Sequence, residues 1–139
     1  MTYELREHTA DVAVAATGRT LAEVFEALAD GLAAASCDEI ADVGDRFRLS
    51  VEAESREALL FDYLDELIYE RDVRAVLPVE NAVELDQPES ADDPWSLEAT
   101  ARGVPLDTIT AREVKAVTYA EMRLEPTEDG WDAYVVFDV

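Results

Sequence analysis

The chain has 139 residues and carries 33 acids against 11 bases, a net charge of −22. Its 49% hydrophobic content is that of a folded domain, so the charge does not make it a disordered tail. Phosphates would be repelled and there is no basic patch, which argues against direct, non-specific nucleic-acid binding. One cysteine, Cys37, excludes an internal disulfide, and one histidine, His8, excludes zinc sites built on two or three imidazoles.

The length fits one domain spanning residues 1–139, with a core large enough to need no staple. The acids are spread along the whole chain, and ten of the eleven bases are arginine. That pattern suits a surface bathed in molar salt, where the Debye length falls to about 3 Å and self-repulsion is screened. The N-terminus "MTYELREHTA" has no secretory pattern, and the most apolar window, Leu21 to Ala35, is too short and too acidic for a membrane span. The expected location is the cytoplasm.

In chain order, residues 2 to 6 alternate as a strand, with Tyr3 and Leu5 on one side. Val12 and Val14 resume it after an "EHTAD" bend. Thr20 is placed to cap a helix whose stripe is Leu21, Val24, Phe25, Leu28 and Leu32; Gly31 weakens its end slightly. "DRFRLSVEAE" predicts a strand with Phe47, Leu49, Val51 and Ala53 inward. Ser55 then caps a second helix with Leu59, Leu60, Tyr63, Leu64, Leu67 and Ile68 at helical spacing and acids on its other face. Strands are expected at Val79 to Asp86 and Trp95 to Arg102, with "GVPLDT" as a bend after them. Val117 to Glu125 and Trp131 to Val139 form a hairpin around "PTEDG". Two amphipathic helices over a largely antiparallel sheet make an α+β sandwich.

The chemistry is bounded by scarcity. A Ser/His/Asp triad could use only His8, and there is no P-loop or GxGxxG. Carboxylates remain. Asp11 ends the "HTAD" bend and Asp138 is penultimate, so a paired last strand would hold the α-carboxylate of Val139 beside Asp138. Oxygen donors of this kind suit Ca²⁺, Mg²⁺ or Mn²⁺ rather than zinc or copper. On the residues alone, solvated surface charge is the simpler reading of both acids. His8 reads as a hydrogen-bonded loop histidine and Cys37 as a small helix-end residue. Lys115 is the only lysine. It is either a surface ion pair, worth about 0–1 kcal/mol, or a slim point charge that the broader arginine cannot replace.

Four segments carry a resemblance: "EHTADVAV", "ALLFDYLDELIYERD", "REVKAVTY" and the terminal "WDAYVVFDV". In this order and over nearly the whole chain they resemble the archease family. The resemblance implies an archease-like α+β sandwich acting as an accessory protein, not a stand-alone enzyme. It implies a partner, the GTP-dependent tRNA-splicing ligase, whose active-site histidine guanylylation and multiple turnover it promotes. A chaperone-like association with a tRNA cytosine-5 methyltransferase is the alternative. It further implies a divalent-metal site at Asp11, Asp138 and the terminal carboxylate of Val139, with Ca²⁺ foremost and Mg²⁺ or Mn²⁺ otherwise, and a functional lysine at Lys115. Many relatives have His after "VTY"; this chain has Ala120.

Overall fold

The computed structural model describes residues 2–8 and 11–139, with side chains described at 2–3 and 11–139. The expected facing of Leu5, the residues 9–10 of the "EHTAD" bend and the His8 side chain lie outside what is described.

Seven strands and two α-helices run in the order β1 (Thr2–His8), β2 (Asp11–Gly18), α1 (Leu21–Ser36), β3 (Asp45–Ala53), α2 (Arg56–Arg74), β4 (Val76–Asp86), β5 (Trp95–Pro105), a 3-10 turn (Leu106–Thr108), β6 (Ala116–Pro126) and β7 (Trp131–Asp138). The α+β class is as expected, but the strands form two sheets rather than one. One sheet has the order β1-β2-β7-β6 and the other β3-β5-β4, and every pairing is antiparallel. The split follows from the chain path: β2 and β7, the first and last long strands, pair centrally and leave β3–β5 to make their own ladder.

Both helices start where a side-chain oxygen replaces a missing backbone partner. The Thr20 hydroxyl accepts from the Glu23 N–H at 3.1 Å, and the Ser55 hydroxyl accepts from the Ala58 N–H at 3.1 Å. None of α1 is exposed, because it touches β2 and β7 of one sheet and β4 of the other. Gly31 permits this: a Cβ there would lie 2.5 Å from Val14 Cγ1. The glycine that lowers helix propensity therefore lets α1 close onto β2. Polar groups of α1 finish the exposed edge of β4. Glu26 accepts from the Val83 N–H at 2.8 Å, and Asp30 accepts from the Asn81 backbone and side-chain N–H groups at 3.0 and 2.9 Å. Two backbone donors of this edge, Asn81 at the bulge between Val79 and Ala82 and Val83 just beyond it, are thus satisfied by carboxylates. Burial, with Asp30 and Glu23 nearby, pushes the Glu26 carboxyl above its usual range despite that bond.

α2 buries Leu59, Leu60, Tyr63, Leu64, Leu67 and Ile68 as its spacing predicts, and packs on β3, β4 and β5 of one sheet and β6 of the other. The helices and both sheets thus share one continuous core. α2 ends on Ala75 in the left-handed region, φ 55.

Two strand boundaries differ from the sequence expectation. β4 begins at Val76 rather than Val79, because Pro78 is tolerated where the strand lies at a sheet edge. β5 continues through Gly103 to Pro105, where "GVPLDT" suggested a bend; β3 pairs as far as Gly103 and β4 as far as Pro105, and the turn comes one step later at Leu106–Thr108. Gly103 allows the strands to approach, since a Cβ would meet the Val76 side chain at 3.0–3.2 Å.

Candidate functional site

The two central strands of the four-stranded sheet are antiparallel, so the start of β2 meets the end of β7. The register pairs Asp11 with Asp138, Val12 with Phe137 and Val14 with Val135. Directly opposed residues point to the same face, with Cβ atoms about 4.5–5.5 Å apart. Phe137, Val135 and Val14 belong to the main core. By strand alternation Asp11 and Asp138 lie on the other face. Asp138 is exposed and Asp11 half-buried. Two like charges opposed on a sheet repel, and a cation between them removes that cost.

On the other side of β7, Ala116 of β6 is the partner of Asp138. The residue before it is Lys115, whose backbone N–H donates to the Asp138 carbonyl at 2.8 Å. The lysine side chain is exposed. Three adjacent strands therefore bring Asp11, Asp138 and Lys115 to one end of the sheet, from positions over 100 residues apart in sequence for the two acids. Val139 follows directly, half-buried and packed against the main core.

Among the described residues, no three His, Cys, Asp or Glu side chains cluster to hold a metal. The Asp11–Asp138 pair is thus an incomplete set by side chains alone. The donor chemistry fits a hard cation, because both groups are carboxylates and no soft ligand is near among the described residues. A third oxygen has to come from a terminal or backbone group, from water or from a partner molecule.

The segment that carries Lys115 crosses from β5 in one sheet to β6 in the other. It is fastened along its length. The Arg112 N–H donates to the Ser36 carbonyl at 2.6 Å, at the end of α1. Ile109 and Ala111 pack on a small second cluster of Ala33, Cys37, Leu77, Val79 and Val104. Cys37 is buried there, caps α1 through its N–H, and gives its thiol hydrogen to the Glu39 carbonyl at 3.0 Å, consistent with a packing role.

One contributor escaped the sequence reading. Arg71 of α2 donates from its guanidinium to the Val114 carbonyl at 3.0 Å. The signal was present: Leu60, Leu64, Leu67 and Arg71 follow one another at helical spacing, so this arginine continues an apolar stripe. Ala120, where the family resemblance implied a His, is exposed in the irregular stretch of β6 between Thr118 and Arg123, beside Glu121 with φ 61.

Two helices with two antiparallel sheets in this order make an archease-type α+β fold. The chain belongs to that family: a profile of the Archease protein family matches residues 3–139. It is 37% identical over 141 residues to protein archease of Methanosarcina acetivorans, covering 99% of this chain and 95% of that one. It is 38% identical over 143 residues to protein archease of Thermococcus gammatolerans, covering 99% and 98%. Among solved structures it resembles the solution structure of Methanobacterium thermoautotrophicum protein 1598, with TM-score 0.81, 31% identity and coverage of 99% and 98%. It shares the fold of a Thermotoga maritima protein described as an archease and possible chaperone, with TM-score 0.67, 24% identity and coverage of 98% and 96%. Among the described residues, no helix is long and apolar enough to cross a membrane.

The four sequence segments that resemble archeases converge in space. "EHTADVAV" runs into β2, "WDAYVVFDV" is β7, "REVKAVTY" leads into β6, and the second-helix segment contains Arg71. Three contribute directly to the sheet end, and the fourth holds it from below through Val114.

Proposed function

We propose that this protein is a cytoplasmic accessory factor that activates a GTP-dependent tRNA-splicing RNA ligase, promoting guanylylation of the ligase histidine and repeated turnover. The observation that carries this is the pairing of Asp11 with Asp138 beside the Lys115 segment. Asp11, Asp138 and the α-carboxylate of Val139 would hold a divalent cation, Ca²⁺ foremost, with Mg²⁺ or Mn²⁺ as alternatives. Bound there, the cation supplies positive charge for phosphate oxygens. The chain's own part is binding and orientation. Lys115 offers a mobile ammonium from a fixed root, the form of cation that meets phosphate as a point charge. Docked at the ligase active site, the sheet end would orient the GTP triphosphate toward the attacking histidine. Nothing in this role needs a nucleophile or base from the protein itself, so no stand-alone catalysis is expected.

The experiment is ligation of 2′,3′-cyclic-phosphate and 5′-hydroxyl RNA ends by the cognate ligase at limiting concentration in molar salt, with and without this protein. Several products per ligase molecule are expected with it and about one without. Equal turnover in both arms refutes the reading. The second reading, a chaperone-like module for a tRNA cytosine-5 methyltransferase, comes from the family resemblance; the Thermotoga maritima protein is described only as a possible chaperone. It gains ground if the protein co-purifies with the methyltransferase, Asp138→Ala leaves that association intact, and ligation shows no response.

A further inference from the structure

We infer that Arg71 is the positioning residue for Lys115. The inference rests on the reading of Lys115 as a functional cation given above. Among the described residues, Arg71 is the only charged residue that is buried, at 7% exposure. A buried guanidinium is costly unless its donors are used. Arg74, one turn away at the end of the same helix, leaves its side chain half in water and pairs with Glu70. Arg71 turns inward instead. Its guanidinium meets the Val114 carbonyl at 3.0 Å and reaches Asp72 Oδ1 at 3.5 Å.

A cation in the last turn of a helix is favourable near that helix's own carbonyls. The acceptor here is different. It is a carbonyl 43 residues away, and it belongs to the peptide unit that joins Val114 to Lys115. The other polar atom of that unit is the Lys115 N–H, which donates to the Asp138 carbonyl at 2.8 Å. In a trans peptide the C=O and N–H point in opposite directions. The plane is therefore clamped from both sides, by α2 through Arg71 and by β7 through Asp138. Val114 locks the same point by packing, with its side chain 1% exposed. The root of Lys115 is fixed relative to the residue whose carboxylate faces Asp11, while its stem remains free to swing. A point charge that must meet a phosphate beside a cation needs that combination.

The test compares the parent protein with Arg71→Met, which keeps an apolar stem without donors, and Arg71→Lys, which keeps charge and a donor. Amide hydrogen exchange is read at Lys115, with the Leu64 and Val135 amides as controls for global folding. Arg71→Met should speed exchange at Lys115 by about tenfold or more, as loss of a hydrogen bond from a charged donor implies, and leave the controls unchanged. Arg71→Lys should recover part of the protection. In the ligase assay Arg71→Met should lower the maximal stimulated rate without raising the protein concentration that gives half of it. On a Lys115→Ala background it should add no further loss, the signature of two residues acting as one unit. An unchanged Lys115 exchange rate in Arg71→Met overturns the inference, as does a loss of stimulation that adds in full to that of Lys115→Ala. Full stimulation by Lys115→Ala would instead remove the functional role of the lysine, and the exchange result would still decide whether Arg71 clamps it.

Discussion

Lys115→Ala and Asp138→Ala are each expected to return the ligase to its unassisted turnover while leaving unfolding free energy within about 1 kcal/mol of the parent, as for exposed substitutions away from the core. Both side chains are exposed, and the backbone bonds that hold them do not involve their side-chain atoms. Removing Asp138 also relieves a like-charge pair, so any change in stability should be small and favourable at low salt. Lys115→Arg is the sharper variant. It preserves charge, and the chain otherwise uses arginine ten times to one. If a compact, rotatable ammonium is what the site needs, Arg restores less than half of the stimulation. Full rescue by Arg would mean that only the charge matters. Multiple-turnover ligation, paired with urea unfolding of each variant, reads both quantities.

Phe137→Ala should cost about 3–5 kcal/mol, the range for deleting a fully buried aromatic ring. Phe137 is completely buried, lies opposite Val12 on one side and Val117 on the other, and is the residue before Asp138. The void cannot collapse easily, because β7 is a central strand held on both edges. Urea unfolding should show a lower midpoint with an unchanged slope. The same substitution should lower stimulation under conditions where the chain is still folded, since the strand end carrying Asp138 loses its anchor. A loss under about 1 kcal/mol would mean that the core has repacked around the gap.

The helices were legible because their information is local. Thr20 and Ser55 announce two N-termini, and the apolar stripes that follow are buried residue for residue. The hairpin around "PTEDG" was equally plain, and the Thr127 N–H closes it onto the Gly130 carbonyl at 2.8 Å. Long-range pairing was not legible. Nothing local in Val12 or Val135 says that they are neighbours, so the division into two sheets could not be foreseen. Gly103 looked like a bend, and the expected strand stopped short of Pro78, because their places in the strands depend on close approach and edge position, which are tertiary facts. Gly31 looked like a defect and is a point of contact between helix and sheet.

The candidate site shows the same limit. Asp11 and Asp138 are two acids among 33, and only the β2–β7 register makes them a pair. Lys115 was conspicuous by composition, yet its fixed root depends on Arg71 and the Asp138 carbonyl, which spacing does not reveal. Only the resemblance to archeases singles Asp11 and Asp138 out among the other acids.

Oxygen donors gathered at one end of the larger sheet should bind a hard cation. The most direct measurement of this is a calorimetric titration with Ca²⁺ at molar monovalent salt on three forms: the parent, Asp138→Ala, and a chain extended beyond Val139. The account predicts saturable binding of one ion to the parent, at least tenfold weaker binding to the extended form, and none to Asp138→Ala, because a hard cation needs several anionic oxygens at once. Equal binding by all three forms would contradict it.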